Sequence, residues 1–131
     1  MTNKCVIRSL EERDLAEWLR LRTSLWDQTS EDDHKGEMVD IIEHPDSQFV
    51  AVADTGNGRL AGFLEASIRQ HVEDCDTENV GYLEGWFVDS DHRRQGIGAM
   101  LVAAAEDWAR ERGCTEMASD AEVGNTVSQQ A

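Results

Sequence analysis

Arg93-Arg94-Gln95-Gly96-Ile97-Gly98 sets two guanidinium groups, an amide and two glycines directly ahead of an apolar, alanine-rich stretch that runs to Gly113. Such residues at a helix entrance suit an anion. The first N–H groups of a helix have no partner within it and carry partial positive charge. Glycines let a phosphate approach the main chain where a Cβ would obstruct it. Arginines add charge-assisted donors. The segment lacks the GK[ST] of a Walker A loop and the spacing of a dinucleotide-binding GxGxxG. By itself it reads equally well as a plain loop-to-helix turn.

The remainder of the chain has the opposite charge. Twelve Lys and Arg stand against 27 Asp and Glu, for a net charge of -15. The acid is clustered: Asp27, Glu31, Asp32, Asp33, Glu37, Asp40, Glu43 and Asp46 form one group, and Glu73, Asp74, Asp76, Glu78 and Glu84 another. Such a surface repels nucleic acid and anionic lipid and attracts cations. Solubility alone would explain it; gathering around a cleft would point to a small polycationic substrate.

The 131 residues suit one domain, 1–131, with a single core. Hydrophobic residues make up 40% and charged residues 30%, a globular composition. No apolar run reaches the roughly 18 residues that a membrane span needs. "MTNKCVIRSL" lacks a secretory core, so a cytoplasmic location is expected. The three cysteines have no CxxC spacing, which argues against a disulfide framework or a metal site. Cys5 and Cys114 sit in apolar runs and read as buried, inert thiols.

The elements that must position the turn follow from periodicity. "CVIRSL" reads as a first strand, and Ser9 to Glu12 has capping-box spacing ahead of a helix striped by Leu15, Trp18, Leu21 and Leu25. Met38, Val39, Ile41 and Ile42 suggest a second helix that stops before Pro45. "QFVAVAD" and "LAGFLEASIR" read as strands joined by the hairpin turn "TGNGR", with a polar loop at 70–79. "VGYLEGWFVD" is the next strand, and Gly85 within it suggests a bulge. Ile97, Met100, Leu101, Ala104 and Trp108 stripe a third helix ended by Gly113. "CTEMAS" is a short strand, and Asn125 opens a possible last helix. Strands alternating with helices imply an α+β or α/β fold with a mixed sheet.

Arg93 to Gly98 fits the R/Q-x-x-G-x-G/A signature of the GCN5-related N-acetyltransferase (GNAT) superfamily. "YLEGWFVDSDHR" resembles that family's bulged fourth strand and its entry to the pyrophosphate loop. In detail the chain is most similar to bacterial aminoglycoside 6′-N-acetyltransferases, through "LRTSLW", "ASIR", "LEG-FV" and "MASD…NT-SQ". The resemblance implies a central mixed sheet flanked by helices. It also implies transfer of an acetyl group from acetyl-CoA to the 6′-amino group of an aminoglycoside, in a ternary complex, conferring resistance. The family pattern continues past "SQQA", so the usual C-terminal strands are expected to be missing, and with them part of a homodimer interface. Two other readings stand beside this one: an acetyltransferase for polyamines or basic peptides, and an inactive coenzyme A-binding module.

By the same resemblance, Arg93, Arg94, Gln95, Gly96, Ile97 and Gly98 hold the pyrophosphate. Trp86, Phe87 and Val88 line the pantetheine, with backbone groups of Trp86 and Val88 pairing with it. Asn125 either contacts coenzyme A or only caps a helix. No metal is expected. An attacking amine must lose a proton and the oxyanion must be steadied. Glu84 and Asp120 are the expected catalytic and substrate-binding carboxylates. Their plainer readings are a solvated strand residue and a turn residue. Trp26 is a substrate wall or a core residue, and residues 73–78 form an acidic rim. Cys75, in an acidic loop, is rejected as a nucleophile.

Overall fold

The computed structural model describes residues 5–70, 72, 75 and 77–119. The elements run β1 (Val6–Ser9), α1 (Leu15–Leu25), α2 (Glu31–Ile42), β2 (Gln48–Asp54), β3 (Leu60–Arg69), β4 (Val80–Val88), α3 (Ile97–Glu111) and β5 (Met117–Ser119). The strands form one sheet in the order β1-β2-β3-β4-β5. Pairing is antiparallel except for the parallel β4–β5 pair, so the sheet is mixed, as expected.

Period-two alternation in the strands divides the core into two layers. Ala51, Ala53, Leu64, Ala66, Trp86 and Val88 face α3, where Ile97, Leu101, Ala105, Trp108 and Ala109 cover them. Val50, Val52, Leu60 and Phe63 face the other way, against Trp18 and Leu21 of α1 and Met38 of α2. The α3 stripe is rotated from the expected one: Met100 is exposed, and Ala105 and Ala109 are buried instead. Gly98 fixes that rotation, because an added Cβ would come within 2.5 Å of the Trp86 ring.

The entry to α1 also differs. Ser9 closes β1, a 3-10 turn spans Glu12–Asp14, and the reciprocal cap is made by Glu11 and Asp14. Asp14 wins this role because its carboxylate also receives Arg8, at 2.7 and 2.9 Å. That pairing holds the Asp14 carboxyl below its ordinary range, and a charged acceptor makes the stronger cap. At α2 the Ser30 hydroxyl accepts the Asp33 amide at 3.1 Å.

Cys114 is buried and Cys5 half-buried, and burial pushes both thiols up. Among the described residues no helix is long and apolar enough to cross a membrane. The positions after Ser119, on which the expectation of missing C-terminal strands bears, lie outside the described residues.

Candidate active site

The β3–β4 ladder pairs Glu65 with Gly85 and then Ala66 with Leu83, so Glu84 is an extra residue on β4. The expected bulge is present, one residue before Gly85. Its effect on direction is visible in the packing. Leu83, Trp86 and Val88 pack with the α3 layer and Phe87 with the α1 layer, so the alternation slips at Glu84 and Gly85. A bulge re-aims a side chain in this way. Glu84 is turned toward α1 and α2, where its Oε2 accepts the buried Ser67 hydroxyl at 2.5 Å. Arg69 Nη2 donates to both Glu84 oxygens, at 2.9 and 3.0 Å.

A cleft of about 460 Å³ opens there, between α1, α2 and the sheet, lined by Arg22, Trp26, Glu37, Asp40, Glu65 and Glu84 among others. Trp26 stands at the boundary of core and cleft. Its ring lines the cleft and also meets Phe63 edge-on, with centroids 6.0 Å apart. Arg22 lies over its face, 4.9 Å from the centroid.

Glu65 and Arg22 also line the cleft, and periodicity did not single them out. Trp18 Nε1 and Arg22 Nε each donate to Glu65 Oε2 at 2.9 Å. Arg22 Nη2 also donates to Glu37 at 2.7 Å. Fully buried His34 completes the cluster. Its Nε2 lies 3.2 Å from the Trp26 carbonyl and its Nδ1 3.4 Å from Arg22, which places the proton on Nε2. Burial pushes Glu65 up to about 7, against the pull of Arg22 and of the Trp18 hydrogen bond, while Glu37 and Glu84 add to the rise. The one signal in the sequence was an acid in the middle of the apolar strand "LAGFLEASIR".

β4 leads from this cleft to the basic turn. A 3-10 turn at Ser90–His92 is followed by extended Arg93, then Arg94 at φ 67 and Gly96 at φ 77. Gly96 is the N-cap of α3; no side chain caps the helix and its first turn contains no acid. A left-handed conformation costs an ordinary residue about 1–2 kcal/mol, so Arg94 holds the turn at some strain. Arg94 and Gln95 are exposed. Arg93 is used differently: its Nε donates to the Val88 carbonyl at 3.0 Å and its guanidinium lies 5.6 Å from the Phe87 centroid.

The family model for the acetyltransferase (GNAT) family matches residues 15–131. The chain belongs to the GNAT acetyltransferase family. The aminoglycoside N(6')-acetyltransferase type 1 of Klebsiella aerogenes is 42% identical over 135 residues, covering 100% of this chain and 88% of that protein. AAC(6')-Iy, solved in complex with the bisubstrate analogue CoA-S-monomethyl-acetylneamine, superposes with a TM-score of 0.86 at 36% identity, covering 95% of this chain and 84% of that one. The aminoglycoside 6'-N-acetyltransferase AAC(6')-Ih of Acinetobacter baumannii gives a TM-score of 0.85 at 39% identity, with the same coverage.

GNAT enzymes use acetyl-CoA as donor, and the turn fits its pyrophosphate. Left-handed Gly96, the uncapped first turn of α3 and exposed Arg94 together offer amides and positive charge with no competing acid. Trp86 and Ile97 are buried and contribute packing with their side chains. Among the described residues β5 pairs with β4 only at Gly81, Tyr82 and Leu83. Past the bulge, the main chain of β4 therefore has no described strand beside it on that edge. Asp120 and Asn125 lie outside the described residues, as do Glu73, Asp74 and Asp76 of the expected rim.

Proposed function

We propose that this GNAT domain transfers the acetyl group of acetyl-CoA to the 6′-amino group of an aminoglycoside, a reaction that confers resistance. The observation that carries this reading is the bulged carboxylate Glu84. It faces a cleft whose other acids, Glu37, Asp40 and Glu65, outnumber Arg22, the one lining cation among the described residues. A polycation supplies the missing positive charge, and several converging pairs exceed the 0–1 kcal/mol of one exposed pair. The aminoglycoside names carried by the relatives support the same acceptor.

Each group has a part in the chemistry. Trp26 forms the wall on which a sugar ring lies. Glu84, and Asp120 by resemblance, hold the acceptor's ammonium groups. The turn from Arg94 to Gly98 holds the pyrophosphate, and Asn125 reaches coenzyme A from the last segment. Arg93 stays beside the pyrophosphate by resemblance, while its Nε braces β4 at Val88. Backbone N–H groups of Trp86 or Val88 steady the oxyanion. Acetyl-CoA supplies the thioester; the amine nitrogen bonds to its carbonyl carbon, the C–S bond breaks, and the amine's proton passes to the protein and solvent.

A cytoplasmic setting is assigned from the sequence, and a homodimer by resemblance, to be checked by sedimentation. Thiol release from acetyl-CoA, with tobramycin, spermidine and a lysine peptide offered separately, tests the acceptor. Release with tobramycin alone is expected. Equal release with spermidine or the peptide would move the reading to a general amine acetyltransferase. No release from any acceptor, with acetyl-CoA still bound, would leave only a coenzyme A-binding module.

A further inference from the structure

We propose that Glu65 is a second catalytic carboxylate of the acceptor cleft, the one that takes the proton from the bound ammonium while Glu84 holds the amine in place. The inference rests on the reading of the cleft as an amine site.

Three observations carry it. First, Glu65 sits at the bulge, paired across the ladder with Gly85, and lines the same cleft as Glu84. Second, the hydrogen bonding of the two carboxylates differs. Both oxygens of Glu84 already accept strong donors, from Ser67 and Arg69. Glu65 has both close donors on Oε2; its Oε1 meets only Arg22 Nη2, at a long 3.4 Å. Oε1 thus has the lone pairs open to a proton. Third, the charges around Glu65 leave it short of compensation. Arg22 of α1 is its one close cation and is shared with Glu37 of α2, with His34 behind it. Glu84 of β4 adds negative charge and is itself paired with Arg69. The β2 neighbour across from Glu65 is the apolar Val50.

The step balances. An N–H bond of the ammonium breaks, and the proton passes to Glu65 Oε1 directly or across one water, leaving the nitrogen a lone pair for the acetyl carbonyl. The carboxylate becomes a carboxylic acid, which returns its proton to solvent; the second N–H proton, lost as the amide forms, passes to the leaving coenzyme A thiolate, so that amide and thiol are released. A base that titrates close to working pH is suited to this task.

The test is the pH profile of kcat for the wild type and Glu65→Gln, an isostere able to keep the Trp18 and Arg22 contacts. An acid limb near pH 7 is expected in the wild type. In the variant the limb is lost and kcat falls about 10²-fold, with acceptor KM within about threefold. A variant that keeps the wild-type profile would overturn the proposal. If Gln fails to fold, Glu65→Asp is read instead, expected to keep the limb with lowered kcat; an unchanged kcat would count against it. If no amine is acetylated, the function reading fails by itself, and Glu65 is judged by calorimetry of hexamethonium, a dication without titratable protons, on the wild type in two buffers at pH 7. Buffer-dependent heat from proton release is expected; its absence, or no binding, would overturn the proposal.

Discussion

Gly85 lies directly beneath the Trp26 ring: a Cβ built there would come within 2.8 Å of Cη2 and closer still to Cζ2. The glycine next to the bulged Glu84 therefore also makes room for the wall of the cleft. Gly85→Ala must push the indole away, and overpacking of this kind costs about 1–3 kcal/mol. A lower melting temperature and a raised acceptor KM are expected, with coenzyme A affinity within twofold in a calorimetric titration.

Glu84 depends on two neighbours for its direction. Glu84→Ala should lower kcat/KM for the acceptor by about 10²-fold or more, on the scale of a lost charged contact. Ser67→Ala removes one of its donors and should show a smaller loss of the same kind. Steady-state kinetics at fixed acetyl-CoA, together with unchanged acetyl-CoA binding, checks both.

The two glycines of the basic turn should separate cleanly. Gly96 has φ 77 and open space around it, so Gly96→Ala pays only for its conformation, about 1–2 kcal/mol. Gly98→Ala drives a methyl group into the Trp86 ring and should disturb the core as well as the turn. Both should weaken coenzyme A binding; thermal melts should show the larger loss for Gly98→Ala.

Two carboxylates give opposite pH signs. The Asp14 carboxyl is held below its ordinary 3.8, first by its Arg8 hydrogen bonds. Its contribution to stability is present above that value and is lost as pH falls through the lowered one. Glu65 is raised from 4.5 to about 7 by burial. Its contribution is full below 4.5 and is lost as pH rises through about 7. Urea midpoints measured from pH 3 to 8 should show Asp14→Asn removing the acid-side loss, at a cost of roughly 2 kcal/mol at neutral pH. Glu65→Gln should flatten the loss on the other side.

Much of the frame was legible because it is local. The strands "QFVAVAD" and "LAGFLEASIR", the stop of α2 before Pro45 and the end of α3 at Gly113 follow from alternation and backbone preference over a few residues. The basic turn was legible for the same reason. The α1 cap was not: the choice of Asp14 over Ser9 depends on Arg8, whose guanidinium also reaches Asp54 at 3.0 Å, 46 residues away. Likewise Met100 had the right spacing for the core, yet it is exposed while Gly98 packs against Trp86.

The sequence by itself determined two charge patterns: a turn of arginines and glycines that suits an anion, and an acidic remainder that suits a cation. Types and short spacings carry that information, since free amides, φ and net charge are properties of neighbouring residues. Glu84 was named from the sequence, but tertiary structure alone decided which acids line one cleft. Glu84 faces the cleft because β3 and β4 slip by one residue. Glu65 belongs beside it because Trp18 and Arg22 arrive from 47 and 43 residues away. Arg93, though exposed, ties its Nε to Val88 for a similar reason, a carbonyl within reach only once the turn has folded back. Register and burial are settled by long-range pairing, and a carboxylate's proton affinity depends on what surrounds it.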